Sequence, residues 1–300
     1  MRAGIFTEQQ QANRLDYLSN SKMGVLLDSR QKFYHKYVLG KETKSSEQME
    51  LGKLIHMGVL QGARFRELFL VMPDFGDMRS PANRAKRDAW KQEIGPDRVV
   101  CDQEQFEKVV YSVDAILQHN VARDLFTGGL SERKLYWQDE ESGVWLMGNP
   151  DFIIDKDLGQ IPRGTVAELK TTSKSVERTS FIKQVQDNEY YRQISLYLHL
   201  TGKLLGIPDN KSAAWVTVET NEPYPVAVYT PSENMIKAGN VKFRKAINIF
   251  KEMKDADPEF KNKKLWTGYQ DSDTAEEIDL DYWFYRKDLD FQDITQIQVP

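Results

Sequence analysis

Apolar residues recur at helical spacing through the first 127 residues of the chain. The spacing predicts a first helix over residues 14–36, with Ser19 or Ser21 as its cap. A second helix is predicted over residues 45–69, where the apolar positions form a stripe along one face. The N-terminal part of the chain is therefore expected to be helical.

Two further helices are marked by their end signals and by their spacing. Ser80 is a candidate cap, Pro81 suits the first helical position, and Gly95 suits the stop. Residues 102–126 carry apolar side chains at helical spacing and predict a longer helix. These two helices complete the N-terminal helical segment.

Strand-like patterns begin after Gly129. Two apolar runs flank residues 140–143, Glu-Glu-Ser-Gly, which is typical of a β-hairpin. The further predicted elements are a strand at 164–172, a helix from Ser180 to about Leu205 that ends at Gly206, strands at 213–220 and 224–230, and a helix over about 232–254.

The order of these elements predicts an α/β fold with a central mixed β-sheet flanked by helices and an N-terminal helical segment. We expect one domain without a break: N-terminal helices over about 14–127, an αβ core over about 128–254, and a C-terminal extension over about 255–300. Residues 282–300 are aromatic and acidic, so packing or a subunit contact is expected there rather than DNA stacking.

Composition narrows the classes of protein. With 40% hydrophobic and 29% charged residues in a chain of 300, the sequence is typical of a globular protein with a sizeable core. The single cysteine, Cys101, excludes an intramolecular disulfide framework and suits a reducing compartment. No apolar run is long enough for a membrane span and the start lacks a signal peptide's apolar core, so we expect a cytoplasmic location and no membrane. A net charge of −4 argues against general coating of nucleic acid but leaves a local basic channel open.

Charged residues interrupt one of the predicted strands. Side chains alternate along a strand, so Glu168 and Lys170 share one face, roughly 6.5 Å apart. Charged groups are not buried without partners, so this strand end must be solvent-lined, paired or bound to metal. If the strand after Asp151 pairs with this one, we expect the two acids to converge at one edge of the sheet.

Two carboxylates beside a lysine form the minimal set for metal-assisted phosphodiester hydrolysis. Mg²⁺ prefers hard oxygen ligands and commonly takes one or two carboxylates while it keeps several waters. The alternative is an exposed Glu-Lys pair on an edge strand plus a turn aspartate, and a bare D…ExK match favours that alternative because such short patterns recur by chance.

The surrounding motifs change this balance. Pro150-Asp151 followed by Glu168-Leu169-Lys170 resembles the PD-(D/E)XK nuclease signature. In "YYRQISLYLHL", Gln193 and Tyr197 resemble the Q-x-x-x-Y motif of the RecB-like branch. His56 in "ELGKLIHMGVLQGARF" resembles the upstream helix histidine of that branch.

A closer resemblance is to the nuclease domain of the RecE (exonuclease VIII) family and its phage relatives, over roughly residues 17–285. It rests on the stretches "LSNSKMGVLLDSRQKFYHKY", "RSPANRAKRDAW", "SERKLYW…GNPDFII" and "LWTGY". Members of that family often carry an aspartate where this chain has Glu168. The resemblance implies a restriction-endonuclease-like core.

The resemblance also implies roles for individual residues. Asp151, Glu168 and the backbone carbonyl of Leu169 would hold Mg²⁺, for which Mn²⁺ would substitute, with His56 facing the metal from the helical side. Lys170 would be the catalytic lysine, so the catalytic set is Asp151, Glu168 and Lys170. Glu132 is a further candidate metal ligand, and Gln193 and Tyr197 would line the active-site wall and contact DNA.

Each of these assignments has a structural alternative. A lone histidine such as His56 among apolar neighbours is commonly a hydrogen-bonded, half-buried residue. Gln193 and Tyr197 lie one turn apart, as on any amphipathic helix. A run of cations over 79–91 is commonly a solvated helix face, yet it is also the candidate phosphate contact. Its members are Arg79, Arg84, Lys86, Arg87 and Lys91.

The function implied by the resemblance is a Mg²⁺-dependent double-strand DNA exonuclease. It would degrade one strand from the 5′ end, act as a ring-shaped homo-oligomer on DNA ends, and leave a 3′ single strand for an annealing protein in phage-type recombination or repair. A phage or prophage origin, with a bacterial cytoplasm as the location, follows the usual setting of the family. The alternatives are a single-strand nuclease or endonuclease of the same superfamily, and a DNA-binding recombination protein without catalysis.

Overall fold

The computed structural model describes residues 15–41, 46–95, 98–269 and 275–279. The predicted aromatic and acidic tail over 282–300 lies outside the described residues, as do residues 96–97. The elements are, in chain order, β1 (Tyr17–Ser19), α1 (Asn20–Asp28), α2 (Arg30–Phe33), a π-helical turn (Tyr34–Val38), α3 (Glu47–Leu68), β2 (Phe69–Val71), α4 (Pro81–Ile94), β3 (Val99–Cys101), α5 (Gln103–Gln118), α6 (Asn120–Leu125), β4 (Leu130–Ser131), β5 (Leu135–Gln138), β6 (Trp145–Gly148), β7 (Phe152–Ile153), β8 (Val166–Thr172), α7 (Arg178–Asp187), α8 (Tyr190–Leu205), β9 (Ala213–Glu219), β10 (Val226–Tyr229), α9 (Glu233–Ala256) and a 3₁₀ turn (Lys263–Leu265).

The largest sheet of the described residues has five strands in the order β10-β9-β8-β7-β4. Strands β8 and β9 run parallel, and the other neighbours are antiparallel, so the sheet is mixed. The predicted pairing of the strand after Asp151 with the strand of Glu168 is confirmed, since Phe152 lies opposite Ala167 and Ile153 opposite Val166. The α/β fold with a central mixed sheet and N-terminal helices is therefore confirmed.

The expectation that the two acids converge at one edge of the sheet is wrong about the place of the Glu168 strand. Strand β8 lies in the middle of the sheet, between β7 and β9, and not at an edge. Both faces of β8 are covered, because Ala167 and Leu169 pack on one side and Val166 on the other. The charges of Glu168 and Lys170 are consequently brought into a covered region, where they must be partnered.

Two smaller sheets complete the strands of the described residues. The predicted hairpin is confirmed as β5 and β6, but it belongs to a separate sheet of order β1-β6-β5. The sequence pattern places residues 17–19 in the first helix. They instead form β1, which pairs parallel with β6, a long-range contact that local periodicity does not encode. Strands β2 and β3 form a short parallel pair that the sequence pattern did not predict.

Several predicted helices are divided where a polar residue caps the next segment. Ser29 ends α1, and its hydroxyl accepts from the amide of Lys32 to start α2. His119 separates α5 from α6, and its ring accepts from the amide of Ala122. The predicted helix over 180–205 breaks at Asn188 and Glu189 into α7 and α8. Predicted helix α4 has the expected Pro81 start and Gly95 stop.

Two apolar cores lie on the opposite faces of the five-stranded sheet. One packs α3 and α5 against Ala167, Leu169 and Val216. The other packs α8 and α9 against Val166 and Trp215. Helices α3 and α8 therefore approach β8 from opposite sides. In the described ranges, no helix is long and apolar enough to cross a membrane.

Candidate active site

Two hydrogen bonds from backbone amides to carboxylates link the segment of Asp151 to the strand of Glu168. The amide of Asp151 donates to Glu168 Oε1 at 3.0 Å, and the amide of Leu169 donates to Asp151 Oδ2 at 2.8 Å. The antiparallel register of β7 and β8 creates this exchange, because it sets Phe152 opposite Ala167 and so brings their neighbours Asp151 and Glu168 together. The two acids predicted from the sequence do converge.

Lys170 partners the second oxygen of Glu168. Its Nζ lies 3.1 Å from Glu168 Oε2 and 2.8 Å from Gln193 Oε1. Gln193 in turn donates to the hydroxyl of Tyr197 at 3.3 Å. The side chain of Lys170 is 13% exposed and that of Glu168 is 2% exposed, so the alternative of an exposed Glu-Lys pair is wrong. The charges form a buried, hydrogen-bonded network.

His56 reaches the same point from α3 on the other side of the sheet. Its Nδ1 lies 2.8 Å from the carbonyl of Gly52, while its Nε2 lies 3.0 Å from the carbonyl of Leu169 and 3.2 Å from Asp151 Oδ2. The helix approaches β8 closely at Gly52, where an added Cβ would lie 2.8 Å from Thr171 Oγ1. A side chain at Gly52 would push the helix away, so the glycine allows His56 to reach the strand.

Both ring nitrogens of His56 face oxygen acceptors, which favours the protonated ring. Burial lowers the pKa of His56, but the hydrogen bond and the negative charge of Asp151 outweigh it, so the pKa lies above its usual value. Burial raises the pKa of Asp151, but the opposing effects of His56 and Lys170 are larger, so the pKa of Asp151 lies below its usual value. The positive charge on His56 and the negative charge on Asp151 stabilise each other.

Glu168 is affected in the opposite direction. Burial and the nearby charge of Asp151 raise the pKa of Glu168 to about 7, although Lys170 opposes the shift. Burial lowers the pKa of Lys170, but Glu168 and Asp151 raise it above its usual value. The two carboxylates thus repel each other in a covered site, and the repulsion raises the pKa of Glu168 and not that of Asp151.

These residues fit a divalent cation. The Nε2 of His56 lies 3.0 Å from the carbonyl oxygen of Leu169 and 3.2 Å from Asp151 Oδ2. Adjacent ligands of a Mg²⁺-sized ion with bonds of about 2.1 Å lie roughly 3 Å apart. The Nδ1 contact of His56 with a backbone carbonyl is the orientation that metal-ligating histidines commonly have. In the part of the chain that the structure describes, no group of three or more His, Cys, Asp and Glu side chains is arranged to hold a metal by itself. The candidate set therefore depends on the Leu169 carbonyl and on waters, as Mg²⁺ sites commonly do.

A cavity of about 730 Å³ opens over this network. His56, Leu169, Lys170 and Glu132 are among its lining residues, whereas Asp151 and Glu168 are not. Glu132 has a left-handed backbone, with φ 49°, and its carboxylate accepts from Gln61 at 2.7 Å. Its amide donates to the carbonyl of Asp151 at 2.9 Å. The sequence-predicted Glu132 is therefore at the site, in contact with the backbone of Asp151.

The predicted DNA-contacting residues are placed differently from one another. Gln193 is half-buried and Tyr197 is 6% exposed, and neither lines the cavity, so the structure places both behind Lys170. Burial and the charge of Glu168 raise the pKa of Tyr197, which keeps its hydroxyl protonated.

Helix α4 has no buried residue, and its cations lie outside the cavity lining. Arg79, which precedes α4, pairs with Asp77, and Arg87 of the helix pairs with Asp88, while Arg84, Lys86 and Lys91 are exposed.

Sequence analysis did not identify two residues of the site. Tyr190 lines the cavity and its ring centroid lies 4.7 Å from Lys170 Nζ. Gln61 lines the cavity and binds Glu132. A signal for Tyr190 was present, because it lies three residues before Gln193 and so shares its helix face.

Replacing His56 by alanine should weaken the binding of a divalent cation such as Mg²⁺ roughly 10- to 100-fold, because the substitution removes one candidate ligand. The measurement is a calorimetric titration of the folded variant with Mg²⁺. Exposed His35 provides the control: His35→Ala should leave the Mg²⁺ affinity unchanged. Equal Mg²⁺ affinity in both variants would contradict a ligand role for His56.

Comparison with known proteins agrees with the fold. The sequence profile of the family described as "PDDEXK-like domain of unknown function (DUF3799)" matches residues 19–261. No curated protein matches the sequence. A crystal structure from Eubacterium rectale, named "Putative exonuclease", matches with a TM-score of 0.53 at 9% identity, over 83% of this chain and 88% of that one. This likeness supports the fold.

Two crystal structures of Scheffersomyces stipitis Rai1 also match, at far lower similarity. The first has a TM-score of 0.24 at 12% identity and covers 82% of this chain and 71% of that one. The second, in complex with (3'-NADP)+ and calcium ion, has a TM-score of 0.26 at 12% identity and covers 84% and 72%. Scores this low carry no argument about fold or function.

Proposed function

The chain belongs to the PDDEXK-like family, within the PD-(D/E)XK nuclease superfamily, and from that premise we propose that it is a Mg²⁺-dependent double-strand DNA exonuclease. The observation that carries the proposal is the closed network of Asp151, Glu168, Lys170 and His56, of which His56 and Lys170 line an open cavity. Burying several charges together costs free energy, and such clusters are typical of binding and catalytic sites.

The residues divide the chemistry between them. Asp151, Glu168, His56 and the Leu169 carbonyl would hold the divalent ion, which supplies an acidic bound water and neutralises charge on the phosphate. Lys170 would orient the attacking water or stabilise the developing charge on the phosphate oxygens. Gln193, anchored by Tyr197, would fix the direction of the lysine ammonium. Metal-dependent phosphodiester hydrolysis is the reaction that this set of groups supports best.

The finer parts of the proposal are supported by the resemblance to the RecE-type nucleases. They are attack on linear duplex ends, 5′-to-3′ degradation that leaves a 3′ single strand, a ring-shaped homo-oligomer, and a single-strand annealing protein as partner in recombination or repair. Mn²⁺ is expected to substitute for Mg²⁺ because the ligand set is mainly oxygen with one imidazole. The exposed cations of α4 are candidates for phosphate contacts away from the cavity.

The test is a substrate panel. We expect the protein with Mg²⁺ or Mn²⁺ to degrade linear duplex and spare closed circles, and to be inactive with EDTA. Duplexes labelled at either the 5′ or the 3′ end should lose the 5′ label first. Lys170→Ala protein, purified in parallel, controls for contaminating nuclease.

Each of the other outcomes would indicate a different activity for this protein. Loss of closed circles at a comparable rate would indicate an endonuclease, and preference for single strands would indicate a single-strand nuclease. DNA binding without cleavage of any substrate would indicate a recombination protein without catalysis. Any of these results would contradict the exonuclease proposal.

A further inference from the structure

Tyr190 lies where helix α8 begins, and its ring faces the ammonium of Lys170. The ring centroid is 4.7 Å from Lys170 Nζ, within the range of a cation–π contact. Tyr190 is half-buried and forms part of the cavity lining. The ring is therefore both a neighbour of the lysine and a wall of the space that a substrate would enter.

The position of this ring is fixed by the turn before it. Glu189 has a left-handed backbone, with φ 52°, which is unfavourable for a residue other than glycine. Its carboxylate forms ion pairs with Arg192 and Lys242. Arg192 is 3% exposed and also donates to Asn20 Oδ1 at 3.0 Å. A buried network thus holds the turn that starts α8, and with it Tyr190.

The ring is also supported away from the lysine. The ring of Phe181 lies 6.4 Å from that of Tyr190, and Phe181 stacks on Tyr229 at 5.2 Å. Phe181 also meets Trp215 edge-on at 6.0 Å. Tyr190 therefore stands between an aromatic cluster and a charged amine, so its ring has little freedom to move.

The contacts of Lys170 explain what this ring contributes. An ammonium has three donors, and Glu168 and Gln193 accept from two directions. The ring attracts the positive charge without offering a directional acceptor, so it restrains the ammonium without occupying its third N–H donor. That N–H can form a hydrogen bond to a water or to a phosphate oxygen in the cavity.

We propose that Tyr190 is a positioning residue whose ring holds the Lys170 ammonium in its catalytic direction. The proposal rests on the proposed nuclease function and extends it to a residue outside the PD-(D/E)XK and Q-x-x-x-Y motifs. Because the ring acts through the lysine, it should affect the rate of the chemical step more than the binding of DNA.

The test compares variants that keep or remove the ring. Tyr190→Leu should lower kcat about 10-fold and change KM less than about twofold, as expected when a cation–π contact on a buried amine is lost. Tyr190→Phe keeps the ring and should retain kcat within about twofold. Tyr111→Leu, at an exposed tyrosine of α5, is the control and should keep kcat. Thermal unfolding of each variant shows whether it is folded.

A second readout does not depend on activity. In protein with labelled lysines, the Lys170 Cε protons, assigned by their loss in Lys170→Met, should be shifted upfield by the ring current. The shift should persist in Tyr190→Phe and disappear in Tyr190→Leu. This measurement reports the ring–amine contact in folded protein even where no cleavage is detected.

Three kinetic results would overturn the proposal. They are an unchanged kcat in folded Tyr190→Leu, an equal loss in Tyr190→Phe, or a raised KM with unchanged kcat, which would make Tyr190 a substrate contact. Absence of the upfield shift in the unmodified protein would also overturn it. Absence of cleavage by the unmodified protein on every substrate would instead contradict the proposed function, and the shift would still decide whether the ring holds the amine.

Discussion

Replacing Lys170 by methionine should reduce the rate of DNA cleavage by roughly 100- to 1,000-fold, the loss typical when one preorganised donor to a developing charge is removed. Methionine keeps most of the length and volume of the side chain, so the cavity wall is retained. The ammonium bound to Glu168 and Gln193 disappears, and no other cation of the buried network takes its place beside Glu168. The measurement is single-turnover cleavage at saturating protein and Mg²⁺.

The same substitution should leave DNA binding within a fewfold of the unmodified protein, because Lys170 is 13% exposed and offers little surface to a duplex. Lys174 supplies a matched control, since it lines the same cavity but is exposed. Lys174→Met should alter binding through charge and leave the chemical step intact. Cleavage by Lys170→Met at the normal rate would remove Lys170 from the catalytic set.

The grouping of the candidate residues could be predicted because they lie in short motifs with defined spacing. Asp151, Glu168 and Lys170 follow from the acid after a proline and from the alternation of side chains along a strand. The structure brings all three together with His56, as the resemblance to RecB-like nucleases implied. A motif fixes which residue types must meet, and the pairing of β7 with β8 then brings them together.

The place of strand β8 in the sheet could not be read from its charges. Glu168 and Lys170 suggested an edge, yet β8 is central, and Val166, Ala167 and Leu169 are each 0% exposed. Small and apolar residues on both faces are the signal of a covered strand. The pairing of charges with each other and with Gln193 removes the conflict, and that pairing depends on α8.

The helix breaks were missed for a related reason. The break between α7 and α8 has no glycine or proline, since Asn188 and Glu189 form it. Glu189 adopts a left-handed backbone that is held by ion pairs to Arg192 and Lys242, and one of these partners lies on a distant helix. Long-range ion pairs leave no local pattern, so the position of Tyr190 over Lys170 was also not predicted.

The affinity for Mg²⁺ should weaken about 10-fold for each unit that the pH falls below 7, because a proton on Glu168 must leave before its carboxylate can bind the ion. Burial and the charge of Asp151 raise the pKa of Glu168 to about 7, so the acid form dominates below that pH. His56 also holds a proton at a raised pKa and would steepen the dependence. Calorimetric titration with Mg²⁺ in buffers of different ionisation enthalpy measures both the affinity and the protons released.

Metal-free stability should change with pH in the opposite sense. Between its ordinary pKa of 4.5 and about 7, Glu168 keeps a proton in the folded protein that the unfolded chain has lost, so the free energy of unfolding falls as pH rises through this window. The loss is on the order of 3 kcal/mol for that one group. The raised pKa of His56 adds a loss of the same sign as pH rises past 6.5, whereas the lowered pKa of Asp151 matters below 3.8 and the raised pKa of Lys170 above 10.5.

Added Mg²⁺ should therefore stabilise the protein far more at pH 8 than at pH 5, since the ion replaces protons that the site no longer holds. Thermal unfolding midpoints with Mg²⁺ and with EDTA across this range provide the measurement. Glu168→Gln is the control, because an amide has no proton to release and is a poor Mg²⁺ ligand, so both the affinity and its slope with pH should collapse. A Mg²⁺ stabilisation that is independent of pH, or that survives in Glu168→Gln, would place the ion elsewhere and leave the buried carboxylate pair without its proposed role.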